Sequence, residues 1–311
     1  STAWFFDGSS TWQIGLADAE HVNTATGLAS NTSSLLNASG QVAGSAVRYN
    51  GSVPNGSSAW FHDGWTRRIG LYDAEHTNSA TGEQFNEPMF VADANYVSGH
   101  ARRYHNGQER GRSAWYFDGS STRKIGLVDD VHMLSSLNYR YNEIVAMNRA
   151  GQTFGHALRW ADVYFTGVLV DVLSLGQSAW YFDGNTTRQI GLTDAKHTGL
   201  SWRSGTPGTA DGLQWNDVRM SNGAGQAAGT ATVYNGGRAP GNNATDRERR
   251  GQSTWFFDGS SSREIGLAGD HRQANVPVAM NEAGQVIGDR LRGGLDSTLI
   301  DGADAWFFDG S

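Results

Sequence analysis

Apolar positions in this chain fall in short runs separated by glycine and small polar residues, and the most regular run is aromatic. It reads Ala3-Trp4-Phe5-Phe6 and closes on Asp7-Gly8. The phrase returns around Trp60, Trp115, Trp180, Trp255 and Trp306, each time continuing with Phe or Tyr, then Phe or His, then Asp-Gly. The copies stand about 50 to 75 residues apart, the kind of period that marks a repeat architecture. Each run is predicted as a strand. Successive side chains on a strand alternate between its faces, so rings project on both sides and both faces need cover. Asp-Gly then predicts a tight turn, because Gly accepts positive φ and Asp bonds the backbone ahead of it. The returning strand ends in Ile-Gly-Leu at Ile14, Ile69, Ile125, Ile190 and Ile265.

A second hairpin follows each of these after a variable loop. Its clearest copies are Val278 to Gly288 and Ile144 to Gly155, in which an apolar strand meets an Asn-x-x-Gly turn and returns. Leu35 to Gly44 and Val218 to Gly229 repeat the pattern, whereas Phe90 to Gly99 has Asn95-Tyr96 in place of the Gly-Gln pair. Glycines such as Gly44, Gly155 and Gly288 within the return strand predict a bulge or a close backbone approach. Two hairpins per unit give four antiparallel strands, and four strands at this period predict an all-β fold, a β-propeller of about five four-stranded blades. The whole of 1–311 reads as one array with units near 1–58, 59–113, 114–178, 179–253 and 254–311. The longer intervals come from two insertions. Val163 to Leu175 is apolar enough to add a strand or hairpin, and Gly236 to Gly251 is a polar loop.

Composition agrees with many short strands: Gly is 41 of 311 residues and Pro only 5. A net charge of −7 without a basic block argues against nucleic acid. No apolar run approaches the roughly 20 residues that span a bilayer. Cysteine is absent, which excludes a disulfide framework and thiolate chemistry. The chain begins at Ser1 without a charged-then-apolar leader, as expected of a processed protein or of a fragment. A surface rich in Ser, Thr, Asn and Gly suggests secretion.

Three phrases carry a resemblance: Gly176 to Gly184 (Gly-Gln-Ser-Ala-Trp-Tyr-Phe-Asp-Gly), Ile190 to Thr198, and Asn281 to Gly288. They resemble the extracellular HAF-type repeat family of bacterial secreted proteins, and the match recurs along essentially the whole chain. The resemblance implies a secreted, propeller-like protein at or beyond the cell surface, and no activity. The chain departs from it in the second hairpin at Phe90 to Gly99 and in lacking a sorting tail.

The aromatic strand occurs six times, but its Ile-Gly-Leu partner and the second hairpin occur five times. The spare strand can add an edge to a closing blade, pair with another molecule into a filament, or mark a cut from a longer array.

Candidate chemistry concentrates in Asp-x-x-His after each Ile-Gly-Leu: Asp18/His21, Asp73/His76, Asp129/His132, Asp194/His197 and a compressed Asp270/His271. Carboxylate beside imidazole can hold a metal or polarise water. The plainer reading is structural, with Asp capping a turn and His bonding a neighbour, as expected of a device that every unit repeats. The repeated tryptophans read as core, with a hydrogen-bond partner expected for each indole N–H. Trp12, Trp65, Trp160, Trp202 and Trp215 fall outside the repeat and are better surface candidates, Trp12 and Trp65 near the hairpin turn as an exposed binding patch. No catalytic motif and no cofactor-binding motif appears. Sequons at Asn31, Asn37, Asn50, Asn55, Asn185 and Asn243 are candidate glycosylation sites. The function expected is that of a non-enzymatic extracellular propeller with a structural or self-assembling, filament-forming role. The alternative is a carbohydrate-binding propeller lectin with a polysaccharide partner.

Overall fold

The Asp-Gly phrase folds into the expected hairpin turn. Asp118 Oδ1 accepts the N–H groups of Ser120 and Ser121 at 2.9 and 2.8 Å, and Phe117 pairs with Thr122 across the turn. This computed structural model describes residues 1–166, 168–199, 212–234, 249–268, 274–292 and 302–311. Apart from three 3-10 turns, every regular element among them is a β-strand. The all-β expectation therefore holds, and no helix is long and apolar enough to cross a membrane. The chain divides into two compact units. One comprises Ser1–Gly126, Leu137–Thr153 and Phe182–Thr186; the other comprises Leu127–Ser136, Phe154–Tyr181 and Thr187–Ser311.

The four-stranded sheets are offset from the sequence units by one hairpin. In the first unit one sheet runs Asn31–Leu36, Val42–Asn50, Val53–His62, Thr66–Ile69, and the next runs Gln84–Val91, Val97–His105, Gln108–Phe117, Thr122–Ile125. Each thus joins the second hairpin of one sequence unit to the aromatic hairpin of the following one, all antiparallel. The second unit repeats the order in Gln214–Ser221, Ala227–Tyr234, Arg249–Phe257, Ser262–Ile265. It also holds a three-stranded sheet, Ala274–Met280, Val286–Arg292, Gly302–Phe308.

Successive sheets are stitched by short parallel pairings at the start of the long aromatic strand. Gly56 faces Gln84 and Gly111 faces Arg140. Both glycines have left-handed φ, and a Cβ on either would lie within 3 Å of the opposing carbonyl carbon and oxygen. Only glycine lets the two backbones meet there.

The core follows from one register. Gly44, Gly99, Gly229 and Gly288 lie directly opposite Trp60, Trp115, Trp255 and Trp306. The predicted close approach and the predicted bulge both occur. The indole covers the bare glycine, and on the glycine's other side the pairing slips, between Ser33 and Leu35 or between Ser98 and Gly99. Trp60, Trp115, Trp180 and Trp255 are fully buried. Among the described residues Trp4 pairs only with the strand Thr11–Ile14 and has no glycine strand over it, and it is 64% exposed. The first copy of the phrase is therefore not core like the other five. A second departure concerns the indole N–H. Nε1 of Trp60, Trp115, Trp180, Trp255 and Trp306 is buried without a hydrogen-bond partner among the described residues.

The apolar insertion Val163 to Leu175 adds no strand. It lengthens an existing hairpin, whose strands run Thr153–Phe165 and Val168–Phe182 with Thr166 in the left-handed region between them. Residues 236–248 of the polar insertion lie outside the described residues.

Candidate functional site

The Asp-x-x-His pairs form a buried relay. Asp73 Oδ1 accepts from His76 Nδ1 at 2.6 Å and from its backbone N–H at 3.1 Å, capping a 3-10 turn. His76 Nε2 meets Ser113 Oγ at 2.9 Å. The same geometry joins Asp129, His132 and Ser178, and Asp194, His197 and Ser253, with the imidazole-to-serine distance again 2.9 Å. In each case the serine lies two residues before the tryptophan of the following aromatic strand. Asp18 and His21 repeat the pair at 2.7 Å, but His21 Nε2 has no partner among the described residues. Burial lowers the pKa of His21, His76 and His197 despite the aspartate beside each. With Nδ1 donating to the aspartate, a neutral His76 accepts the Ser113 hydroxyl at Nε2, whereas the Ser253 hydroxyl beside His197 donates to Glu264 at 2.6 Å. All four histidines and Ser113, Ser178 and Ser253 are buried, so the residue types of a hydrolytic triad have no face toward substrate. Asp73, Glu75 and His76 stand close enough to share a cation. Each already has a protein partner, since Glu75 pairs with Arg103 at 2.6 Å and Lys124 at 2.7 Å. Asp270 and His271 lie outside the described residues.

His100 plays a related part: its Nε2 accepts the Ile144 N–H at 2.8 Å, and burial, with help from Arg112, brings its pKa down to about 3. A histidine pKa lower in the folded state means that the unfolded chain binds more protons below about 6.5, so stability is complete above that pH and falls on acidification toward 3. We expect His100 alone to remove about 2 kcal/mol between pH 7.5 and pH 5, with His21, His76 and His197 acting in the same direction. Urea midpoints across that range check it, and His100→Gln should flatten the slope.

Sequence reasoning missed a repeated asparagine. Asn86 Oδ1 accepts the Leu71 N–H and its Nδ2 donates to the Leu71 carbonyl, both at 2.8 Å. Asn31 does the same for Leu16 and Asn216 for Leu192, with Asn275 and Leu267 somewhat longer at 3.2 Å. This latch fixes the Ile-Gly-Leu corner. The signal was present as an Asn at the start of each second hairpin, but only the fold brings it to Leu. Two sequons are thereby accounted for. Asn31 is buried in the latch, and the Asn37 side chain bonds the Gln41 N–H and the Ala92 carbonyl. Asn55 donates to the Thr81 carbonyl, Asn50 and Asn185 are exposed, and Asn243 lies outside the described residues.

The open chemistry lies between sheets. The ring after each tryptophan packs on the second ring after the next tryptophan: Phe61 on Phe117 at 5.7 Å, Tyr116 on Phe182, Tyr181 on Phe257 and Phe256 on Phe308 at 5.0 Å. An arginine of the short strand, Arg67, Arg123, Arg188 or Arg263, lies over both rings of its pair at 5.0–5.9 Å. Arg123 and Arg188 also donate to the Gly184 and Gly259 carbonyls of the next turn. Beside this ladder a cleft opens. In the first unit it measures about 370 Å³ and is lined by Arg67, Arg68, Gly70, Tyr72, Ser120 and Thr122. Arg68 stacks on Tyr72 at 3.6 Å and is held by Glu20 and Gln84. In the second unit the equivalent cleft measures about 390 Å³ and presents Arg159, Gln189, Thr193, Gln214, Ser260 and Ser262.

Of the tryptophans singled out by sequence, Trp12 is 56% exposed and donates to Asp7, while Trp65 is 64% exposed with Arg67 over its ring at 4.9 Å. Trp215 is 36% exposed, and Trp202 lies outside the described residues.

No family model matches the chain, and no curated protein matches it. Among solved structures it is similar to a lectin from Aleuria aurantia in complex with alpha-methyl-L-fucoside, at 10% identity over 89% of this chain and 73% of that one, TM-score 0.30. It is also similar to an endo-arabinase from Bacteroides thetaiotaomicron, at 9% identity over 94% and 95% of the two chains, TM-score 0.27. A protein of unknown function from Dyadobacter fermentans matches at 10% identity over 88% and 77%, TM-score 0.32. Similarity at these values says nothing about ligand or reaction.

Proposed function

We propose that the chain is a non-enzymatic carbohydrate-binding protein whose sheets are blades of a five-bladed propeller, with saccharide sites in the clefts between blades. The observation that carries this reading is the recurrence of one cleft in both units, with a guanidinium and hydroxyls at its wall, joined in the second unit by the amide side chains of Gln189 and Gln214. In the first unit a guanidinium-stacked tyrosine adds a ring. A few placed polar groups beside an aromatic surface suit a sugar, which offers hydroxyls to bond and C–H faces to cover. The buried serines of the Asp-His-Ser relays support a non-enzymatic reading. Its extracellular part rests on the HAF-type repeat phrases.

A second reading, association of copies into larger assemblies, is favoured by rings that the ladder leaves uncovered. Phe6 is 54% and Phe307 62% exposed, whereas Phe61 and Phe117 in equivalent places are buried.

A glycan array followed by calorimetry tests the first reading. The chain should retain a saccharide with more than one site per molecule, and Tyr72→Ala should remove one site while leaving the rest. An array on which nothing is retained would overturn it. Sedimentation of the same sample at rising concentration tests the second reading, which a monomer throughout would exclude.

A further inference from the structure

The repeat exposes its own exceptions. In the first two copies the strand before the aromatic phrase carries an arginine, and the residue two places after the loop aspartate is its acid. Arg48 pairs with Glu20 at 3.3 Å, and Arg103 with Glu75 at 2.6 Å. In the second unit, Val233 occupies the arginine position and Lys196 the acid position, and Lys196 turns instead to Glu264 at 2.6 Å. Charge is answered by charge in each of these copies.

The copy between them keeps the arginine and loses the acid. Arg159 is only 9% exposed, and the place of Glu20 and Glu75 is taken by Val131. Its Nη1 donates to Ser178 Oγ and its Nη2 to the Gly212 carbonyl, both at 3.1 Å. Among the described residues no carboxylate pairs with it. Asp129 acts on it only through its charge and is itself bonded to His132. Burial disfavours the charged form, yet a guanidinium stays protonated. A buried cation without a counter-charge is costly, and such groups are normally paired. Arg159 stands in the wall of the second unit's cleft, whose other lining residues include Gln189, Gln214 and Ser260 and no acid.

We propose that this cleft is an anion subsite that takes the carboxylate or sulfate ester of an acidic saccharide, which supplies the negative partner that Val131 withholds. The proposal rests on the carbohydrate-binding reading and names the ligand class of one of its clefts. Arginine makes strong charge-assisted hydrogen bonds to oxyanions, which suits either group.

The experiment is calorimetry on the full chain at low salt with three probes: oligogalacturonate, its methyl-esterified neutral form, and a sulfated, carboxylate-free carrageenan oligosaccharide. At least one anionic probe should bind about tenfold more tightly than the neutral one, the worth of a hydrogen bond to a charged group. Which of them does so separates carboxylate from sulfate. Arg159→Gln should bring that preference to within about twofold, the residual expected once the charge-assisted bond is gone. Val131→Glu, at a 40% exposed position, restores the internal acid and should erase the preference with the arginine still in place. Neutral binding without any anionic preference, or a preference that survives both substitutions, would overturn the anion subsite alone. Failure of all three probes to bind would overturn it together with the carbohydrate reading.

Discussion

Gly99→Ala should lower the stability of the first unit by about 3 kcal/mol, the upper part of the range for forcing a methyl into a packed core. A Cβ at this position would stand within 3 Å of both the Glu87 carbonyl oxygen and the Trp115 ring. Neither neighbour can retreat. The carbonyl belongs to the paired strand Gln84–Val91, and the indole is fully buried against the sheet. Gly99→Val should cost more than Gly99→Ala, because the added atoms point into the same ring. Urea unfolding followed by near-ultraviolet circular dichroism reads the effect. An unchanged midpoint for Gly99→Ala would mean that the glycine and the indole are not in the contact described.

Asn86→Ala is expected to cost about 2–4 kcal/mol, since it strands a buried N–H and a buried carbonyl on Leu71 at once. Asn86 is fully buried and makes both bonds at 2.8 Å, so solvent cannot replace it without opening the corner. The effect has a local signature: the Leu71 amide should exchange its hydrogen faster in the variant, while amides of the strand Gln108–Phe117 keep their protection in native conditions. Unaltered exchange at Leu71 would show that the latch does not hold the Ile-Gly-Leu loop.

Both predictions concern positions whose importance the sequence showed unequally. The glycine was legible because an apolar strand interrupted by Gly implies a bulge or a near backbone, and the repeat displays it several times. Its partner was not legible, since the register that sets Gly99 against Trp115 depends on which hairpin pairs with which. The sequence places the two hairpins of a unit side by side, but the sheet joins hairpins from adjacent units. Asn86 was legible as a letter and opaque as a function, because its partner Leu71 is reached only when the corner folds back on it.

The candidate site divides in the same way. The Asp-x-x-His pairs stood out as repeated chemistry, and their local half, the aspartate capping the turn and holding Nδ1, follows from spacing three residues apart. The serine at the other nitrogen lies 37 to 56 residues further on and could not be read. The inter-sheet clefts had no sequence signature at all. Their walls combine a short strand with a turn from the following repeat, and the unmatched charge of Arg159 becomes visible only when the copies are laid over one another in space.

Periodicity alone determined that the chain is all-β, built from two hairpins per repeat, with tight Asp-Gly turns and an aromatic core, because strand alternation and turn stereochemistry act over a few residues. Tertiary structure alone decided the half-unit offset of the sheets, the exposure of Trp4, the asparagine latch and the clefts. Each of these depends on contacts between distant segments, whose pairing is chosen by the packing of whole faces and not by any local preference.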